Sequence, residues 1–175
     1  MNKNIIQLLL LFKKNGKQRA DLLRKKAGFK GMGEYVTWRP FLIPSEPEMV
    51  SIGNNVHVAA NVRFVTHDMF NLMFNIINKH EKKLTKYTGE IKIGDNVSIG
   101  ANSTLLYGTV IANNTIIASG SVVTKEFPEG VIIGGNPAKV IGSFEALMKK
   151  RYENEEIKWK KLKCIMQNYQ IWAIY

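Results

Sequence analysis

The chain is poor in the residues that staple small folds and bind soft metals. It has one cysteine, Cys164, and three histidines among 175 residues. The lone thiol excludes an internal disulfide and any cysteine-based zinc site, and it fits a reducing compartment. Long apolar runs are scarce as well. Ile5 to Phe12, behind Lys3, is superficially like the front of a secretory signal, but it lacks a small-residue cleavage site and is far too short to span a bilayer. A cytoplasmic protein is therefore expected, with this leucine-rich start and its neighbouring lysines as a candidate contact with a membrane surface. Acidic residues are also in short supply, 14 against 25 Lys and Arg, for a net charge of +11. The excess is concentrated at Lys13, Lys14, Lys17, Arg19, Arg24, Lys25, Lys26 and Lys30 and again in Lys149 to Lys163, leaving the middle close to neutral. Such flanks suit an anionic lipid, an acidic polymer or a phosphorylated cofactor, or they are simply solvated helix faces. Nothing resembles a groove-reading motif or aromatic interleaving, so no nucleic-acid partner is expected.

What the sequence does have is a register of six. Ile52, Val58 and Phe64 fall on it, and after an interruption that begins at His67 so do Ile93, Ile99, Leu105, Ile111, Ile117 and Val123. The position after each is usually small (Gly53, Ala59, Gly94, Gly100, Ala112, Ala118), and the fourth position after it is small or β-branched (Val56, Val62, Val97, Ser103, Thr109, Thr115, Ser121). Six is neither the period of a helix nor that of a simple strand. Three hexads close into a triangular coil with short parallel strands as its sides. The large aliphatic points inward, and the Asn54-Asn55 and Asn113-Asn114 pairs suit corners where φ is positive. Coils stacked roughly 4.8 Å apart build a one-dimensional core.

The flanks read differently. Lys17 to Ala27 is expected to be helical, with Ala20, Leu22 and Leu23 as contacts and Gly28 as its stop. Gly31 to Val50, broken by Gly33, Pro40, Pro44 and Pro47, reads as irregular extended chain, whose Trp38, Phe41, Leu42 and Ile43 cover the open end of the stack. Ser143 should cap a helix with Glu145 in its first turn, running through Arg151 to about Lys163, with Phe144, Leu147 and Met148 against the coil. The division is thus a basic helical segment (1–30), the repeat domain (31–142) with an insertion (68–90), and a helix and tail (143–175). The tail residues Ile165 to Tyr175, including Trp172, fit a core, a partner surface or a loose end.

The hexads of 50–144, the Thr66-His67-Asp68 start of the insertion and the run Gly134-Gly135-Asn136-Pro137-Ala138-Lys139 resemble those of the hexapeptide-repeat acyltransferases, most closely the branch that O-acetylates sugars and capsular polysaccharides. The resemblance implies an all-β core, a left-handed parallel β-helix with a short N-terminal helical segment, one inserted loop and a C-terminal helix. It also implies a homotrimer with active sites between subunits, and acetyl-CoA as co-substrate with no metal.

A histidine held by rigid strands at the mouth of a loop suits a general base, because its neutral imidazole can take a proton from a hydroxyl. By the resemblance, His67 is that base. Asp68 is a candidate to orient it, or to serve the loop or the acceptor, and Thr66 reads as structural. Glu46 and Glu48 are candidates to face the acceptor, with no motif behind them. His57 reads as a corner residue and His80 as a solvated loop residue. The family's coenzyme contacts fall on Ala101, Ser119, Thr124, Lys125 and Lys139, with Ala101 and Ser119 acting through backbone groups and the two lysines through charge on phosphate. The family often has Arg at Lys139, and Gly142 replaces a further basic residue, so the phosphate contacts stay open. The apolar insertion (Met69, Phe70, Leu72, Met73, Phe74, Ile76, Ile77) either packs on its own coil or meets a neighbouring subunit, the second being favoured.

The expected activity is acetyl transfer from acetyl-CoA to a sugar hydroxyl, directly and without an acyl-enzyme, since Cys164 lies outside the coils. An amino sugar or an antibiotic hydroxyl would use the same base. A zinc site of the γ-class carbonic anhydrase kind needs closely spaced histidines, and His57, His67 and His80 are ten and thirteen apart. A non-catalytic assembly module is disfavoured by the intact His67.

Overall fold

The computed structural model describes residues 2–78 and 82–168, without the side chains of 162 and 164–168. In chain order the elements are α1 (Lys3–Leu11), α2 (Gly16–Lys26), β1 (Gly31–Met32), β2 (Thr37–Trp38), β3 (Val50–Ile52), β4 (His57–Val58), β5 (Arg63–Val65), α3 (Phe70–Ile77), β6 (Ile91–Ile93), β7 (Val97–Ile99), β8 (Thr104–Leu106), β9 (Val110–Ile111), β10 (Thr115–Ile117), β11 (Val122–Val123), β12 (Val131–Gly135), β13 (Ala138–Ser143) and α4 (Phe144–Asn168).

From β3 to β11 successive strands visit three sheets in rotation. The first sheet is β1-β3-β6-β9, the second is β2-β4-β7-β10-β12-β13, and the third is β5-β8-β11. All pairings are parallel until β13 folds back antiparallel on β12 and ends the second sheet. Paired residues such as Val97 and Thr115 are 18 apart. Across the insertion the offset is 41, as in Val50 with Ile91 and Arg63 with Thr104, so the excursion adds 23 residues without disturbing the register.

The nine residues in the register of six are all buried in the shared core. A buried aliphatic side chain of this size is worth roughly 1.5–3 kcal/mol, so the column is the main source of cohesion. Ser103, Thr109, Thr115 and Ser121 are buried beside it. Their hydroxyls donate to main-chain oxygens, Ser103 to Ala118 at 3.1 Å and Thr109 to Val123 at 3.2 Å, so no polar cost is left behind. At the corner between the first and second sheets Asn55, Asn96 and Asn114 all have positive φ, which asparagine tolerates better than other side chains. Their amides form a ladder: Asn55 Nδ2 donates to Asn96 Oδ1, Asn96 Nδ2 to Asn114 Oδ1, both at 2.9 Å, and Asn114 Nδ2 to Glu129 Oε1 at 2.7 Å. Gly100 marks the closest approach of two coils, where a Cβ would lie 2.4 Å from the Ser119 nitrogen.

One part of the amino-terminal region differs from expectation. Residues 31–38 are not irregular, because β1 and β2 form a partial coil offset by 20 residues from the next, Thr37 lying opposite His57 and Trp38 opposite Val58. Trp38 is fully buried, stacked on Phe64 and edge-on to Phe29, and it closes this end of the prism with Ile43. Phe41 and Leu42, by contrast, stay exposed. The start of the chain is also a helix. Asn2 Oδ1 accepts from Asn4 N at 2.9 Å at the head of α1, whose Ile6 and Leu10 are buried with Ala20 and Leu23 of α2. At the far end α4 begins as its cap implies, with Ser143 Oγ accepting from Ala146 N at 3.3 Å. Phe144, Leu147 and Met148 are only partly covered and line an apolar hollow with Ile116. No helix among the described residues is long and apolar enough to cross a membrane. His80 and the tail beyond residue 168 lie outside the described residues, as do the side chains of Cys164 and residues 165–168.

A branched side chain at φ +57° is strained, whereas glycine is not. Asn96→Val is therefore expected to cost about 2 kcal/mol in urea unfolding, and Asn96→Gly about half as much. Equal losses would show that the amide ladder, not the backbone conformation, sets the cost.

Candidate active site

The insertion leaves the prism where β5 ends and returns before β6, and its two limbs are sewn together at the base. Thr88 pairs antiparallel with His67, Gly89 N donates to Thr66 O at 2.9 Å, and Asp68 N donates to Tyr87 O at 3.2 Å. This neck fixes the backbone of His67, while its side chain keeps 25% of its surface exposed.

The imidazole is held by Glu46, from the loop preceding β3. His67 Nδ1 lies 2.8 Å from Glu46 Oε2, the Thr66 hydroxyl donates to the same oxygen, and Lys86 Nζ meets Oε1 at 2.5 Å. The Glu46 side chain is only 16% exposed. Burial works against its ionisation, but the hydrogen bonds from Lys86, Thr66 and His67, with the attraction of His67, win and hold its pKa at about 2. An ionised carboxylate can only accept, so Nδ1 carries the hydrogen of this bond, and in the neutral ring Nε2 is the nitrogen that bears the lone pair. This is the polarity a proton acceptor needs.

Asp68 does not orient the histidine. Its Oδ2 accepts from the Tyr107 hydroxyl at 2.8 Å and its Oδ1 from Phe70 N at 3.2 Å, so it ties the start of α3 to the coil. The bond to Asp68, with burial and the charges of Asp68 and Tyr87, raises the Tyr107 pKa, and the Tyr107 ring packs edge-on to Tyr87. Adjacent residues on an extended chain project apart, which is why the partner of His67 comes from elsewhere. The sequence held one signal for it. The twenty-residue offset of the first partial coil sets Glu46 beside Thr66, just as it sets Thr37 beside His57. His57 is exposed, with Nδ1 engaged by Thr37 Oγ1 at 2.9 Å.

The expected coenzyme residues fall on two edges. Thr124 and Lys125 leave the third sheet on the same edge as His67, two coils on, or about 10 Å along the stack. Both are exposed, with Lys125 Nζ 5.6 Å from the Phe127 ring centre. Ala101 and Ser119 occupy successive coils at the opposite edge of that sheet, where Gly120 N donates to Ala101 O at 2.8 Å. Lys139 is exposed on β13, opposite Gly134. One chain therefore brings Glu46, Thr66, His67 and Lys86 together, but not the two edges. The helix of the insertion, α3, has no buried residue, so it does not pack on its own coil; Ile76 is 81% exposed and Phe70 57%.

Comparison with known proteins gives a consistent result. The model of the family described as bacterial transferase hexapeptide (six repeats) matches residues 90–125. Protein CapG of Staphylococcus aureus is 43% identical over 116 residues, covering 64% of this chain and 63% of its own. The "Putative lipopolysaccharide biosynthesis O-acetyl transferase WbbJ" of Escherichia coli (strain K12) is 30% identical over 118 residues, 65% of this chain and 56% of its own. The chain thus spans under two thirds of these relatives' length. Among solved structures, a maltose O-acetyltransferase from Clostridium difficile 630 superposes with a TM-score of 0.59 at 25% identity, over 80% of this chain and 83% of that one.

The Glu46 shift has a definite consequence for stability. A carboxylate at about 2 in the folded state, against 4.5 when free, stabilises the fold fully above pH 4.5, and the contribution is lost as pH falls towards 2. The difference amounts to about 3 kcal/mol. In urea unfolding the gap between wild type and Glu46→Gln should be widest above pH 4.5 and narrow steadily through this window. A gap that does not vary with pH would mean that the carboxylate is not held ionised by its partners.

Proposed function

We propose that this hexapeptide-repeat transferase moves the acetyl group of acetyl-CoA to a sugar hydroxyl, with His67 as the general base. The observation that carries the reading is the Glu46–His67 contact at 2.8 Å, which engages Nδ1 and leaves Nε2 as the nitrogen to meet an acceptor. In the proposed step Nε2 takes the hydroxyl proton as the oxygen attacks the thioester carbon. The tetrahedral adduct then collapses, the C–S bond breaks, and the imidazolium returns the proton to the leaving thiolate, giving the acetyl ester and free CoA. Glu46 stabilises the imidazolium that forms between the two halves of the reaction, and Lys86 and Thr66 fix Glu46. The only cysteine is carried by α4, beyond the coils, so transfer is direct from coenzyme to acceptor.

We assign the coenzyme to the backbone of Ala101 and Ser119 and to Thr124, Lys125 and Lys139, the lysines facing its phosphates. Because Ala101 and Ser119 lie at one edge of the third sheet and Thr124 and Lys125 at the other, the complete site is assembled between copies of a homotrimer of left-handed prisms. The exposed apolar face of α3 covers the neighbouring subunit. Residues 31–142 are then the catalytic domain, with 1–30 and 143–175 as appendages. The similarity to WbbJ and the maltose enzyme supports a saccharide acceptor, and a surface polysaccharide or its precursor is the reading adopted. The single cysteine and the acetyl-CoA donor both fit a cytoplasmic enzyme.

Thiol release from acetyl-CoA, measured across a panel of sugars, tests the reaction. His67→Ala should lower kcat by about a hundredfold to ten-thousandfold. An alanine variant as fast as wild type on a good acceptor would sink the mechanism, and burst acetylation of the protein would contradict direct transfer. Replacing Lys125 or Lys139 by Ala should raise KM for acetyl-CoA about tenfold and leave kcat nearly unchanged. A fall in kcat alone would remove these lysines from the coenzyme site.

A further inference from the structure

We propose that α1 and the loop around Phe41 form a docking surface for an anionic lipid bilayer. Apart from Lys3, Asn4 and Gln7, helix α1 is apolar on its outer side as well as its inner one. Ile6 and Leu10 face α2 and are buried, yet Ile5, Leu8, Leu11 and Phe12 are exposed on the outside, Phe12 to 75%. A helix on the surface of a globular domain ordinarily turns a charged face to water, and a helix apolar all round is covered. Between Lys3 and Lys13 there is no charged residue at all.

The apolar face continues beyond the helix. Leu8 and Leu11 line a hollow with Phe41, itself exposed, and the Arg19 guanidinium lies 4.2 Å above the Phe41 ring. Next to it Phe12 shares a second hollow with Lys13, Lys14 and Lys25. The charge around this face is nearly all of one sign. Residues 1–33 hold nine Lys and Arg against one acid, Asp21, and Asp21 is engaged by Arg24 at 3.2 Å.

This pairing of an apolar face with a basic collar selects the partner. An acidic polymer would satisfy the lysines and leave the leucines in water. A second copy of this face would cover the leucines and bring the two collars together. The interface of an anionic bilayer satisfies both, with the apolar side chains among the acyl chains and the lysines at the headgroups. A nine-residue helix lies in that interface and does not span it. The docking is independent of the reaction proposed for His67.

The test is flotation of the full chain with vesicles of an equal mixture of phosphatidylglycerol and phosphatidylcholine, and with phosphatidylcholine alone. Binding is expected to the mixture, weakening with salt and falling strongly without the anionic lipid. Each lysine near an anionic surface is worth roughly fivefold, so Lys13→Gln with Lys14→Gln should weaken binding by about 25-fold. The triple variant Leu8→Gln, Leu11→Gln, Phe12→Gln should abolish flotation. All five side chains lie outside the buried core, so the melting temperature should not move in either variant. The proposal is overturned if wild type does not float, or if the charge variant floats as well as wild type. It is also overturned if the triple variant binds undiminished, or if that variant instead loses self-association in sedimentation velocity, which would make the face a contact between subunits.

Discussion

The structure depends on one constraint, that each coil repeats the one beneath it in strict register. Buried aliphatics stack on aliphatics and corner asparagines on corner asparagines, so the side chains and the main chain enforce the same spacing. Cohesion is local between neighbouring coils, as in any one-dimensional array, and the ends must be closed separately. Trp38 closes one end with a single large ring, and the β12–β13 hairpin closes the other by reversing the chain.

The candidate site inherits its precision from that register. His67 is the second residue after a strand that cannot shift without moving Phe64 out of the core, and Glu46 reaches it from the coil below. The deeper consequence is electrostatic: a carboxylate held at a pKa of about 2 stays charged, and so stays an acceptor for Nδ1, at any pH well above that value. The tautomer of the imidazole is therefore fixed by the scaffold and not by solvent.

Much of the fold was legible in the residues, and the exceptions have physical causes. The register of six names the inward side chains, because burial of a large aliphatic at every sixth place has no other economical explanation. The second asparagine of each pair marks a positive φ for a similar reason. The partial coil of β1 and β2 escaped because its offset is 20 residues where later coils repeat at 18, so Trp38 falls off the period although it stands in line with Val58. Glu46 stands among the candidates to face the acceptor, but its proximity to His67 exists only once the first coil is in place. For Asp68 the residues leave an orienting, a loop and an acceptor role open, and its bonds to Tyr107 and Phe70 N fit the loop role. The outward apolar face of α1 is a different case: the composition is plain in the sequence, but only packing against α2 reveals which leucines are left outside.

The excursion after β5 is a detachable parenthesis. Its limbs are tied at the neck by main-chain bonds, and the coils on either side pair as though it were absent. Closing a flexible loop costs only about 0.6 kcal/mol more when its length doubles. The prism is thus nearly indifferent to what is written between the ties. A lineage can rewrite that text, in length as well as content, while the histidine at its opening and the ladder behind it remain untouched. Recognition and folding are then edited under separate rules, on one short chain.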